Sequence, residues 1–228
     1  MVVFKYAFVP YKVDRMARKR LSRADSRERT AQRLLDAGER LIARRGLDAT
    51  SVEDIAAAAG YSRGAFYSNF KSKEDLFFDV LRRNQERTNA RFAGVLDQAS
   101  PLEQVQARIR ELYAALCSDG DSFMAWTEGR MLSARDPNFR ERLAALVAQR
   151  RDFAVQLIEY LYRRGGHSPS LPLETLAMGL ISLIEGVRLF VASCPDQMPR
   201  EVAESILRDF VDSAMTQGGP RAVVQPGF

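Results

Sequence analysis

The stretch Thr50–Leu76, TSVEDIAAAAGYSRGAFYSNFKSKEDL, decides how the rest of the chain is read. Ser51 with Asp54 makes a helix-capping signature, and Val52, Ile55 and Ala56 give the following segment an apolar face. Gly60 supplies the backbone freedom for a sharp turn after only two helical turns. Ser62 can cap a second helix, in which Phe66 and Phe70 stand four residues apart and point inward. Roughly opposite them lie Gly64 and Ser68, flanked by Ala65 and Tyr67. That outer face is small and polar, with one long hydroxyl. Ser72 with Asp75 repeats the capping signature and opens a third helix, with Lys73 in its first turn.

A short helix, a glycine turn and a second helix with an uncharged outer face form the pattern of a DNA-binding helix-turn-helix. The second helix would enter the major groove by its N-terminal end. Small residues at Gly64 and Ala65 let the backbone approach base edges, and Arg63 can reach a guanine or a phosphate. An ordinary helical hairpin also carries a glycine turn, so the turn alone decides nothing. The whole string is more specific. It resembles the N-terminal domain of the TetR family of transcriptional regulators, whose signature has the form T-V-x-D-I-A-x-A-A-G-V-S-x-G-x-x-Y-x-H-F-x-S-K-E-x-L, and SVEDIAAAAGYSRGAFYSNFKSKEDL matches it at most positions. Tyr61 replaces a small aliphatic residue, and Asn69 stands where the family often has histidine. Both can still bond a phosphate, so they bear on which operator is read rather than on DNA binding. By role, Arg63, Gly64 and Ala65 are expected at base edges, with Ser51, Ser62, Tyr67, Ser68, Asn69 and Lys73 on phosphates.

Composition bounds the rest. The chain has 228 residues, of which 46% are hydrophobic and 28% charged, enough for a packed core in a soluble protein. No uncharged apolar run approaches the ~20 residues of a membrane helix. The best candidate, Thr175–Ile184, is stopped by Glu185 and Arg188. Two widely spaced cysteines, Cys117 and Cys194, fit reduced thiols in a cytoplasmic protein better than a disulfide. The one histidine, His167, sits in a Gly-Gly-His-Ser loop, so a zinc site or a Cys/His nucleophilic pair has no support, and no cofactor is expected. The net charge of +5 is unevenly placed: residues 1–30 hold nine Lys/Arg against three Asp/Glu, whereas residues 81–228 hold eighteen of each. A basic arm ahead of a helix-turn-helix suggests phosphate or minor-groove contact, and a solvated tail is the equal alternative.

Helical periodicity runs through nearly the whole chain. Residues 1–24 lack it and read as a basic, disordered arm; Met1–Arg15 resembles an extension before a more usual start at Met16. A first helix is expected from Ser26 or Arg27, capped by Asp25 or Ser26, to Arg45, with Gly46 ending it. A longer helix should run from Ser72 to about Gly94. Five more apolar periodic stretches follow. They open at Pro101, at Asp121 or Ser122, at Asp136-Pro137, at Pro172 and at Pro199, and the last ends near Gly218. No segment alternates with period two. The expected fold is all-α: a helix-turn-helix DNA-binding domain over 25–71, a connecting helix and a larger helical ligand-binding and dimerisation domain over 72–218, and a disordered tail over 219–228.

On the helix after Pro172, Gly179, Ser182 and Gly186 make a narrow small-residue stripe with apolar neighbours. The resemblance implies that the last two helices pair with those of a second copy, so Gly179, Leu180, Ser182, Leu183, Gly186, Val187, Ile206 and Phe210 are expected in a homodimer interface. A pair of heads suits a palindromic double-stranded operator. The resemblance also implies a small-molecule pocket among the middle helices, for which Tyr113, Phe123, Trp126, Met131, Phe153 and Phe190 are the candidate lining, with Tyr160 beside them. Each is more often plain core than pocket wall; together they suggest a small apolar effector. Glu128, Arg130 and Glu185 could orient it or be surface and interface charges. The function expected is that of a ligand-released repressor. A helical protein binding DNA or a partner without small-molecule control stays open, whereas an enzyme lacks a recognisable catalytic constellation.

Overall fold

The computed structural model of the chain describes residues 22–95, 100–166 and 168–216. Every regular element among them is an α-helix: α1 (Arg23–Arg45), α2 (Val52–Ala59), α3 (Arg63–Tyr67), α4 (Lys73–Ala93), α5 (Leu102–Ser118), α6 (Gly120–Arg135), α7 (Pro137–Gly165), α8 (Leu173–Ser193) and α9 (Arg200–Thr216). Most of the basic arm, His167, the side chain of Cys117 and the tail over 219–228 lie outside the described residues.

Two helix starts differ from expectation, and both for the same reason. Helix α1 begins at Arg23 because Ser22 caps it: the Asp25 N–H donates to Ser22 Oγ and the Ser22 N–H to Asp25 Oδ2, each at 3.0 Å. Asp25 is therefore the return partner of a capping box rather than the cap, and residues 22–24 belong to the helix, not the arm. Helix α6 likewise begins at Gly120, since Asp119 accepts from the Ser122 N–H at 3.2 Å; Asp121 and Ser122 lie inside its first turn. The starts at Ser72, Pro101, Asp136-Pro137, Pro172 and Pro199 agree with the sequence reading.

Helices α1 to α3 form a small head whose core is Leu34, Leu35, Ile42, Leu47, Ile55, Phe66 and Phe70. Packing runs without a break across residue 72. Leu76, Phe77, Val80 and Leu81 of α4, Ala125 and Trp126 of α6, and Phe139, Leu143 and Leu146 of α7 all belong to the same cluster. A second cluster lies below, built from Phe92, four residues of α5, the far half of α7 (Leu157, Ile158, Leu161, Tyr162), and inward faces of α8 and α9. Helices α4 and α7 thus run through both cores.

Close approach is needed where α6 crosses α4. A Cβ built on Gly129 would lie 2.7 Å from Leu81 Cδ1, so any larger residue obliges the buried Leu81 side chain or the helix spacing to shift. Helix α8 is long and apolar enough to cross a membrane by length and composition alone. Its two central charges are instead held by protein groups: Glu185 pairs with Arg130 and Arg150, and Arg188 donates to the Asp119 carbonyl.

Candidate nucleic-acid interface and effector cavity

The turn that aims α3 is fixed by Gly60, whose φ of 77° and ψ of 31° are left-handed. Its N–H returns to the α2 carbonyls of Ala56 and Ala57, closing the helix. Phe66, fully buried, and Phe70 anchor α3 from beneath. Burial of such a ring stabilises by about 1.5–3 kcal/mol, enough to hold a five-residue helix that has little stability of its own. What remains outside is Arg63, Gly64, Tyr67 and Ser68, all exposed, with Ala65 half-buried. A Cβ on Gly64 would meet nothing closer than Ser62 Oγ at 3.7 Å, so this turn is open to an approaching partner. Arg63 pairs with Glu53 at 3.0 Å, and its guanidinium lies 5.5 Å from the Tyr67 ring centre, which presents it beside the open turn.

The other residues expected on phosphates are distributed differently. Ser62 Oγ accepts from the Ala65 N–H at 3.3 Å, which leaves its hydroxyl hydrogen for an outside acceptor. Ser51 spends its hydroxyl inside the head, donating to Asp54 Oδ2 at 2.7 Å and accepting from the Asp54 N–H. Those bonds hold the Asp54 carboxyl below its ordinary range. Ser68 Oγ and Asn69 Nδ2 both donate to the Ala65 carbonyl at 2.8 Å, satisfying the end of α3. Lys73 departs furthest from expectation. Its Nζ donates to the carbonyls of Leu47 (2.7 Å) and Thr50 (3.1 Å), tying α4 to the loop between α1 and α2. These four side chains build the head rather than reach out from it. Sequence reasoning missed Arg27, which donates to the Ser68 carbonyl at 3.1 Å, and it gave Tyr61 a phosphate as partner, without foreseeing one inside the head. A hydrogen bond with Thr30, and then the charges of Arg33 and Arg29, draw the Tyr61 phenol below its usual range.

In the body, the six residues expected around a ligand fall into three places. Phe123, Trp126 and Met131 line a cavity of about 270 Å³ between α6, α7 and α8, together with Arg130, Arg150, Glu185, Arg188 and Leu189. Tyr113 and Phe153 line a much smaller space of about 50 Å³ further in, with Gln85, Asn89, Phe92 and Ile184. Burial pushes the Tyr113 phenol far above its usual range. Phe190 lines neither; it is 54% exposed on the outside of α8. Arg150, unpredicted from sequence, borders both spaces. Its guanidinium lies 5.3 Å from the Trp126 ring centre and pairs with Glu185 at 2.8 Å, while Arg130 reaches the same Glu185 oxygen, also at 2.8 Å. Glu128 is turned the other way. Its Oε1 accepts from the Leu47 N–H at 2.9 Å, fastening α6 to the head.

The expected interface residues also divide. Gly179 and Ser182 are exposed, Leu183 and Gly186 half-exposed, and added Cβ atoms on either glycine would meet nothing within 4 Å. Leu180 and Val187, each 5% exposed, point into the subunit's own second core and so are not outward residues, and half-buried Ile206 packs against that core too. Met178, Leu189 and Phe190 on α8, with Val202 and Phe210 on α9, supply exposed apolar area instead. That signal is periodic in the sequence, but which of two apolar stripes faces out is set by α7 and α5.

Family models match most of the described chain: bacterial regulatory proteins of the tetR family over residues 34–80, and the C-terminal region of BetI-type transcriptional repressors over residues 101–216. The HTH-type transcriptional repressor KstR2 of Mycobacterium tuberculosis is 32% identical over 107 residues, covering 46% of this chain and 54% of that one. An uncharacterized HTH-type regulator of Bacillus subtilis, YwcC, is 46% identical over 72 residues, 32% of each chain. The matches thus span between a third and about half the length of these relatives. A TetR-family regulator from Rhodococcus sp. superposes with a TM-score of 0.69 at 25% identity, covering 83% of this chain and 99% of its own.

Proposed function

Because the chain belongs to the TetR family of bacterial transcriptional regulators, we propose that it is a repressor that grips a palindromic operator as a homodimer and releases it when a small molecule with an apolar body enters the α6–α8 cavity. The observation that carries this reading is the open first turn of α3. Gly64 faces outward with nothing over it, Arg63 stands beside it, and the helix is anchored from beneath by Phe66. A helix end of that kind suits a major groove, where small residues allow backbone approach and an arginine reads guanine.

The uncovered faces of α8 and α9 support the homodimer. Helix α8 is mostly apolar, yet only a third of its most apolar window is buried in one chain. A second copy laid across Gly179, Ser182 and Gly186 would cover the remainder, and it would set two reading heads a fixed distance apart. The cavity supports ligand control by its position. Trp126 lines it and belongs to the head's core, and Glu128, half a turn further along α6, holds the Leu47 backbone. A molecule that displaces α6 therefore acts on the head directly, and a change in head spacing would cost the second half-site.

The test is selection of bound sequences from a random DNA pool, with wild type and Arg63→Ala at stated salt. An inverted repeat for wild type, and a variant that binds roughly tenfold more weakly with its preference flattened, is the expected result. In light scattering, Ser182→Arg should give a monomer. Enrichment of no sequence, or equal preference in both proteins, would refute the reading of α3; an unchanged mass for Ser182→Arg would place the subunit contact elsewhere.

A further inference from the structure

The α6–α8 cavity has a charge that its own residues do not balance. One carboxylate, Glu185, lines it, against the guanidiniums of Arg130 and Arg150, while Arg188, also in the wall, is engaged by the Asp119 carbonyl and the Phe123 ring. A single Glu185 oxygen serves both Arg130 Nη2 and Arg150 Nη1, at 2.8 Å each. Arg130 Nε is buried and has no hydrogen-bond partner, so half of the planar fork that could grip a carboxylate side-on is unused. Arg150 has only 15% of its side chain exposed. Burial lowers its proton affinity, Glu185 only partly restores it, and Arg130 opposes it further. Around these cations the walls are flat and apolar: Phe123, Trp126, Met131 and Leu189.

We infer that the cavity takes an organic anion, its carboxylate-like head between Arg130 and Arg150 and its apolar body against Trp126 and Phe123. This rests on the reading of the cavity as the effector site and adds the chemical class. The charge count is what decides the class. A cationic ligand would have to compete with two arginines for the one carboxylate already shared between them. A neutral apolar ligand would fill the walls but take solvent from Arg130 and Arg150, which share one carboxylate, without supplying a counter-charge. An anion repairs the deficit. The volume of about 270 Å³ lies at the lower edge of the ~300–1,000 Å³ usual for small-molecule pockets, which favours a single ring or short chain over a large conjugate.

Trp126 is the only tryptophan in the chain, and it stands in the wall of this cavity, so its emission is a direct probe of binding there. Three probes with one body serve the test: phenylbutanoate, phenylbutanamide and phenylpropyl-trimethylammonium, titrated into the full-length protein with Trp126 excited selectively. The carboxylate should bind at least about tenfold more tightly than the amide, as a charge-assisted bond replaces a neutral one, and the ammonium should be weakest. Arg130→Gln should erase the preference for the acid over the amide. Glu185→Gln, which removes the competing carboxylate and creates no hole, should tighten the acid; a cation-binding site would respond in the opposite sense. Equal affinities for acid and amide, strongest binding of the ammonium, or weaker acid binding in Glu185→Gln would each overturn the inference. Silence from all three probes, in protein that still binds its selected operator, would remove the inference and leave the regulator standing.

Discussion

Lys73→Met separates two roles that one lysine can play. Methionine keeps the length of the stem and removes the ammonium, so the bonds to the Leu47 and Thr50 carbonyls are lost while packing is largely kept. Hydrogen bonds from a charged donor contribute about 1.5–3 kcal/mol, but both carbonyls here are part-buried and water can replace some of the loss. A total of about 2 kcal/mol is the consequence. For a chain of this size each kcal/mol shifts the melting temperature by about 2–4 °C, which gives a drop of about 4–8 °C without DNA present. A phosphate-contacting lysine would behave otherwise. Its removal would leave the melt unchanged and make the salt dependence of operator binding shallower, by about 0.9 per lost phosphate contact, or about 1.8 for two subunits. Thermal unfolding by circular dichroism, paired with operator affinity at several KCl concentrations, distinguishes them. The structure requires the lower melt with the slope retained. An unchanged melt with a shallower slope would refute the staple and restore the reading of Lys73 as a phosphate ligand.

The crossing of α4 and α6 and the cap of α2 give two further expectations. Gly129→Val places a branched side chain where even a Cβ lies 2.7 Å from buried Leu81, and should destabilise by about 1–3 kcal/mol in urea unfolding; an unchanged midpoint would mean that α6 can move away freely. The Ser51 bonds hold the Asp54 carboxyl below its ordinary value of 3.8. Its contribution is therefore complete above that value and is lost as pH falls through the lower native one. Amide protection factors at Ile55 and Ala56, corrected for the intrinsic pH dependence of exchange, should fall on acidification in wild type and much less in Asp54→Asn, whereas matching acid profiles would show that the carboxylate does not hold the cap.

The reading head was legible because its chemistry is local. Ser51, Asp54, Gly60, Ser62, Phe66 and Ser72 each act on a neighbour within four residues, and such spacings can be read directly from the chain. The start of α1 was legible too: Ser22-x-x-Asp25 carries the same spacing as Ser51-x-x-Asp54, but the charged residues between and after them hid the boundary. The cavity was not legible in the same way. Glu185 meets Arg130 across 55 positions and Arg150 across 35, and no periodicity signals such a meeting. Arg150, next to Arg151 on an amphipathic helix, reads as solvated surface until α8 is packed over it. The same limit explains Lys73, whose acceptors are backbone carbonyls more than twenty positions back. It also explains Leu180 and Val187, where periodicity gave the faces of α8 but only the packing chose the inward one.

The shared core makes the head dependent on the body, and this has a measurable consequence. Trp126, Phe139, Leu143 and Leu146 all come from beyond residue 100, yet each is at most 7% exposed and sits in the cluster built by α1 to α4. Phe139 stacks on Phe77 with ring centres 5.8 Å apart and planes only 12° from parallel. At about 1.5–3 kcal/mol for each large apolar side chain, these four represent roughly 6–12 kcal/mol of burial, which is comparable with the whole stability of an ordinary domain, about 5–15 kcal/mol. A fragment of residues 22–95 would keep its caps and its turn but lose that margin, and its exposed Phe77 and Leu81 would have no cover. It should show helical content without a cooperative melt, while in the full chain Trp126 fluorescence and far-ultraviolet dichroism should report one coincident transition. If the fragment melted cooperatively, the head would be a free-standing unit, and a ligand beside Trp126 would need some other route to α3. If it does not, the wall of the cavity and the floor of the reading head are the same packed side chains, and displacement of one is displacement of the other.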